Sequence, residues 1–280
     1  MSKINYITTK ERPNQIVHYS IDTFKDTYEL LIPGVYKVSD IGNMMTGSLL
    51  AFDKLKPNDT LINFKTGIVQ EINDIVLNFC KEETISKYKK FEIAHKMGII
   101  LHGPAGTGKT SAAYLLMQQL VETKNAICLD FSKSKLDFIK RTLEKIRNHQ
   151  DNIIICFIDE IDNSIDYEET KWLTFLDGND SFNNCIVLGC TNNLQDIPDR
   201  IKKRPSRIKY LFEIKSFPLD VYKQYILNKI PDINNELLCK LAYLAEENGF
   251  TLDQLKHLII NYFIDNQSIE KSIKQIKSYN

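Results

Sequence analysis

Eight residues, Gly103-Pro104-Ala105-Gly106-Thr107-Gly108-Lys109-Thr110, constrain this chain more than any other stretch. They fit G-x-x-x-x-G-K-[ST] and stand between a strand-like apolar run, Gly98-Ile99-Ile100-Leu101, and a helix from Ser111 onward. Strand, glycine-rich turn and helix in that order make a phosphate cradle. Backbone N–H groups of the turn and of the first helical turn converge, and the helix dipole favours negative charge there. In such a frame Lys109 reaches the β- and γ-phosphates and the Thr110 hydroxyl holds Mg²⁺. Gly103 to Thr110, with Ser111, is the candidate nucleotide-binding segment; a merely structural glycine turn is the rival reading.

A second motif supplies carboxylates. The run Ile153-Ile154-Ile155-Cys156-Phe157-Ile158-Asp159-Glu160 places Asp159 and Glu160 at the carboxyl end of a buried strand. Open α/β sheets bind ligands at that edge. Asp159 suits Mg²⁺, which takes one or two carboxylates and keeps several waters. Glu160 suits a base that polarises an attacking water. Another strand runs into Thr191-Asn192-Asn193. An amide there can orient water or touch a γ-phosphate, or simply form a turn. The basic stretch Arg200-Ile201-Lys202-Lys203-Arg204-Pro205-Ser206-Arg207 has three readings. They are a solvated loop, a nucleic-acid patch, or arginines offered to a neighbour's γ-phosphate; physics alone ranks the solvated loop first.

Three sections follow from the pattern along the chain. Residues 1–62 read as a small β-rich appendage. Tyr28–Ile32 and Val35–Val38 flank Pro33-Gly34 as a hairpin, and Gly47–Phe52 forms a third strand. Residues 63–216 alternate strands with helices, starting with an amphipathic helix through Val69, Ile72, Ile75, Val76 and Phe79. That alternation predicts an α/β fold, a parallel sheet covered on both faces. Residues 217–280 read as helices only, with stripes such as Leu237, Leu238, Leu241, Leu244 and Leu252, Leu255, Leu258, Ile259 forming a small bundle.

Lys+Arg and Asp+Glu both number 36, so no global field draws the chain to nucleic acid or to an anionic membrane. The polar start lacks a signal peptide's apolar core, and no apolar run approaches the ~20 residues of a membrane span. The expectation is an intracellular, cytoplasmic protein. None of the six cysteines forms a C-x-x-C pair, so buried reduced thiols outrank a metal site.

Residues 64–265 together resemble the AAA clade of AAA+ P-loop ATPases. The resemblance rests on GPAGTGKT, FIDEID (157–162), FLDG (175–178), GCTNN (189–193), RPSR (204–207) and GFTLDQL (249–255), in that order. It implies a three-layer P-loop sheet with a C-terminal all-α lid, and ATP and Mg²⁺ bound by Lys109, Thr110 and Asp159. It further implies Glu160 as catalytic base, Asn192 as sensor, and Arg204 and Arg207 completing the site of an adjacent subunit. A homo-oligomeric ring, commonly hexameric, follows from the same likeness. The segment Phe131-Ser132-Lys133-Ser134-Lys135-Leu136 lacks the aromatic–aliphatic–Gly triplet of family unfoldases, so threading of extended polypeptide is not supported. That short connection is similar to the branch containing the mitochondrial Rieske-protein translocase, and small bacteriophage and bacterial AAA proteins share a β-rich leader. The leading expectation is an ATPase remodelling an unknown protein partner. The alternatives are a nucleic-acid-associated loader, prompted by Lys202, Lys203, Lys271, Lys274 and Lys277, and an ATP-dependent assembly scaffold.

Overall fold

The computed structural model describes residues 7–8, 30–40, 50–55, 67–178, 183–215 and 217–278. In chain order the elements are β1 (Ile7–Thr8), β2 (Gly34–Asp40), β3 (Leu50–Lys54), α1 (Ile68–Phe79), α2 (Glu82–Lys90) and β4 (Lys96–His102). There follow α3 (Lys109–Lys124), β5 (Ile127–Asp130), α4 (Leu136–Arg147), β6 (Ile154–Ile158), α5 (Ile161–Asp177) and β7 (Cys185–Thr191). A short α6 (Asp199–Lys202) and β8 (Tyr210–Glu213) precede α7 (Leu219–Lys229), α8 (Asn235–Glu247), α9 (Leu252–Phe263) and α10 (Ile269–Lys277).

The strands form one sheet in the order β1-β3-β2-β5-β6-β7-β4-β8, parallel except where β2 meets β3. Strand side chains alternate between two helical layers, because the pleat has period two. Ile99 and Leu101 of β4 join Cys128, Ile155 and Leu188 in a cluster with α1 and α3. Ile100 joins Ile127, Leu129, Ile154 and Cys156 in a cluster with α4 and α5. Both faces are therefore dry, which is why these strands read as continuous apolar runs. The sheet and its two helical layers make the α/β P-loop fold, and α7–α10 pack around a third cluster centred on Tyr222, Leu241 and Leu258. Phe217 packs against both that cluster and the α1–α3 layer.

The N-terminal strands depart from the reading of an appendage. β2 pairs in parallel with β5, so β1, β3 and β2 extend the main sheet. The Pro33-Gly34 hairpin does not form, and Leu30 to Pro33 carry no strand. Both backbone groups of Leu31 are taken by the Gln150 side chain, at 2.9 and 3.0 Å, which leaves nothing for a ladder. Gly34 then donates to Ala126 O and enters the parallel pairing. The antiparallel partner of β2 is instead β3. Tyr28, Glu29 and Gly47 to Leu49 lie outside the described residues. α2 has no buried residue, so no apolar periodicity announced it.

No helix among the described residues is long and apolar enough to cross a membrane, and no cluster of metal-ligating side chains appears among them. Five cysteines are buried and Cys239 is exposed. Burial pushes the Cys80 and Cys185 thiols up to about 12 and raises those of Cys128, Cys156 and Cys190. The thiolate is the reactive form. A thiol-titrating reagent at neutral pH should therefore modify one cysteine quickly in the native protein and all six after denaturation; rapid reaction of more than one native thiol would contradict this packing.

Candidate functional site

The loop between β4 and α3 owes its path to three glycines at positive φ: Gly103 at 143°, Gly106 at 76° and Gly108 at 85°. A Cβ on Gly103 would lie 2.2 Å from Ile214 O, so only glycine fits that turn against the segment after β8. Lys109, 6% exposed, donates from Nζ to Gly103 O at 2.8 Å and Pro104 O at 2.7 Å. Thr107 closes the turn by donating to Pro104 O at 2.9 Å. Burial lowers the Lys109 ammonium pKa, opposed by the nearby Cys190 and Asp159. A buried cation held only by carbonyls is poised to exchange them for anionic oxygens.

Thr110, the second residue of α3, donates from Oγ1 to Asp159 Oδ2 at 3.0 Å. Burial raises the Asp159 pKa, countered first by that hydrogen bond and then by the Glu160 N–H. The two side chains offer hard oxygen donors side by side, the chemistry that suits Mg²⁺. Glu160 caps α5 in a left-handed conformation, φ 51° and ψ 49°, a strained choice for a non-glycine residue that is typical of functional sites. Its Oε2 lies 3.4 Å from Asn163 Nδ2.

One cavity of about 430 Å³ unites these groups, within the ~300–1,000 Å³ range of small-ligand sites. Its wall includes Gly106, Lys109, Thr110, Asp159, Glu160 and Asn192. Ala105, Gly108 and Ser111 also line it, whereas Gly103, Pro104 and Thr107 shape the loop from behind. The two asparagines divide the roles left open by the sequence. Asn193 accepts the Gln195 N–H and makes the turn, while Asn192 faces the cavity.

Residues 99–216 match the family model described as "ATPase family associated with various cellular activities (AAA)". This segment belongs to the AAA family of ATPases. The chain is 32% identical over 193 residues to an ATPase family gene 2 protein of Schizosaccharomyces pombe, covering 60% of this chain and 22% of that protein. It is 30% identical to the ATPase histone chaperone YTA7 of Saccharomyces cerevisiae, covering 47% and 11% respectively. An AAA ATPase forming ring-shaped complexes from Bifidobacterium adolescentis is 25% identical, covering 51% and 34%. The chain thus spans roughly a tenth to a third of the length of these relatives.

The two arginines of the AAA motif set do not line the cavity. Both sit between α6 and β8, with Arg204 exposed and Arg207 buried. Sequence reasoning missed a network behind the site. The Asp159 N–H donates to Ser132 Oγ at 3.0 Å, the Ser132 N–H to Asp130 Oδ1 at 2.9 Å, and Tyr114 OH to Asp130 Oδ2 at 2.9 Å. It also missed the far wall, where Phe217, Tyr225, Lys229, Leu252, Asp253 and Lys256 face the loop. Leu252 and Asp253 fall inside GFTLDQL, the one available signal.

Replacing Gly103 by Ala should destabilise the chain more than Gly249→Ala. At Gly249 a Cβ meets open space, and only the left-handed conformation, worth about 1–2 kcal/mol, is at stake. At Gly103 a backbone collision adds to the conformational strain. Urea unfolding of both variants checks the ranking.

Proposed function

We propose that this chain binds ATP with Mg²⁺ and hydrolyses it at the interfaces of a homo-oligomeric ring, using the cycle to remodel a protein partner. The convergence of Lys109, the Thr110–Asp159 pair, Glu160 and Asn192 on one cavity carries the reading. Mg²⁺, held through Thr110 and Asp159, supplies charge neutralisation on the phosphate oxygens. The loop N–H groups from Gly106 to Ser111 and the Lys109 ammonium bind and orient the triphosphate. Glu160 accepts the proton of the attacking water, and Asn192 helps fix that water's position.

The ring is supported by the relative named for forming ring-shaped complexes and by an exposed Arg204 outside its own cavity. An arginine presented in trans stabilises charge developing on the transferred phosphoryl group. Protein remodelling is favoured over nucleic-acid loading because relatives include a histone chaperone and a vesicular-fusion protein, and because net charge is zero. Six-fold symmetry and a division at residues 62 and 216 belong to the same proposal.

Lys109→Ala should abolish binding of a fluorescent ATP analogue. Glu160→Gln should keep binding while turnover falls on the order of 10²–10⁴-fold. Turnover per molecule should rise steeply with protein concentration. Wild-type turnover in Glu160→Gln would remove the base, and a flat rate in a protein shown by mass measurement to be monomeric would remove the shared site.

A further inference from the structure

The motif Arg204-Pro205-Ser206-Arg207 offers two arginines of equal standing in sequence, but the fold treats them differently. Arg204 is exposed, whereas Arg207 is 7% exposed. The Arg207 guanidinium donates from Nε to Asp177 Oδ1 at 2.6 Å and from Nη2 to Asp177 Oδ2, with Nη1 on Arg200 O. Its planar fork is spent on a bidentate carboxylate and a carbonyl, so presenting it elsewhere means breaking a charge-assisted pair.

The surrounding backbone makes this clamp a mount for Arg204. The N–H groups of Arg207 and Ile208 both donate to Arg204 O, at 2.9 and 3.0 Å. Lys209 N donates to Gly98 O at 2.8 Å, and a Cβ on Gly98 would lie 2.2 Å from Arg207 O. The turn is thus pressed onto β4, with Ile201 and Ile208 buried on either side of Arg204. Arg200 adds a second tie, its Nε paired with Glu169.

Both carboxylates belong to α5. This helix starts immediately after Glu160 and ends at Asp177, about 25 Å of helix by rise alone. Its far end is secured by Lys96 Nζ on Leu176 O at 2.5 Å. One helix therefore carries the proposed base at one end and the anchor of the arginine turn at the other.

We infer that Arg207 and Asp177 are positioning residues, which clamp the α6–β8 turn to the end of α5 so that Arg204 alone is presented to the neighbouring subunit's nucleotide. The inference rests on the proposed reading that Arg204 completes a neighbour's site.

The test uses the full chain, comparing Arg204→Ala, Asp177→Asn and Arg207→Lys, each with turnover, ATP-analogue affinity and thermal midpoint. Asp177→Asn should lower kcat on the order of 10²-fold through misplacement of the arginine, leave its own analogue affinity within about twofold, and add no further loss to Arg204→Ala. Mixing it with Lys109→Ala should restore turnover, because the Lys109→Ala subunit has a dead site but an intact turn to offer its neighbour. Should Asp177→Asn melt below the assay temperature, Arg207→Lys, which keeps the charge and loses the fork, must show the same pattern. Wild-type turnover in Arg204→Ala would remove the underlying trans-arginine reading. Full turnover in Asp177→Asn and Arg207→Lys beside an inactive Arg204→Ala, or no recovery on mixing, would overturn the clamp alone.

Discussion

The parallel hydrogen-bond ladder joining β4, β7 and β6 is the constraint on which the rest depends. Its register sets His102 beside Thr191 and Ile158 beside Gly189, so all three strands stop at one edge. The residues that follow them, Gly103, Asn192 and Asp159, are thereby delivered together without any contact designed between them. A slip of one residue would turn every strand side chain to the opposite helical layer, and two dry faces forbid that. Gly189 adds a local condition: Ile161 Cδ1 would lie 2.7 Å from a Cβ there. The absence of that Cβ lets α5 start close against the sheet, directly after the Asp159-Glu160 pair.

Much of this was legible in the sequence, for reasons that differ by region. The buried strands announced themselves because burial on both faces demands uninterrupted apolar runs, as in Ile153 to Ile158. The phosphate loop was legible because its backbone path admits few residue types, as Gly103 illustrates. α1 showed the helical period through Val69, Ile72, Val76 and Phe79. α2 did not, since it buries no residue fully; its Tyr88 leans inward, onto Phe79 and His95. The Pro33-Gly34 turn misled because its local chemistry is sound; a side chain 119 positions away, Gln150, captured the backbone that the hairpin needed. Ser132 carried no signal at all, because accepting a backbone N–H from Asp159 is a tertiary event that leaves no spacing behind.

The arginine turn shows a related limit. Two identical letters three positions apart have the same propensity and charge. Only the carboxylate of Asp177, brought up by the length of α5, separates a side chain held inside the protein from one left at its surface. The hydrogen bond from Arg207 is also the first cause lowering the Asp177 carboxyl pKa, with Arg204 and Lys96 adding to it. The motif Phe175-Leu176-Asp177-Gly178 thus acts as half of an ion pair as well as a helix end.

α5 itself is bent. Glu168 leaves helical geometry at φ −138° and ψ 35°, and its carboxylate accepts the Leu136 N–H at the start of α4. Trp172 Nε1 donates to Ser164 O at 3.0 Å, the carbonyl that an unbroken helix would satisfy through the Glu168 N–H. That indole is fully buried and is the chain's sole tryptophan. The molecule therefore carries an intrinsic optical reporter on the helix that runs from Glu160 to the Asp177 anchor of the arginine turn. Its emission in the unlabelled protein reports whether the indole stays buried on the Ser164 carbonyl at that bend.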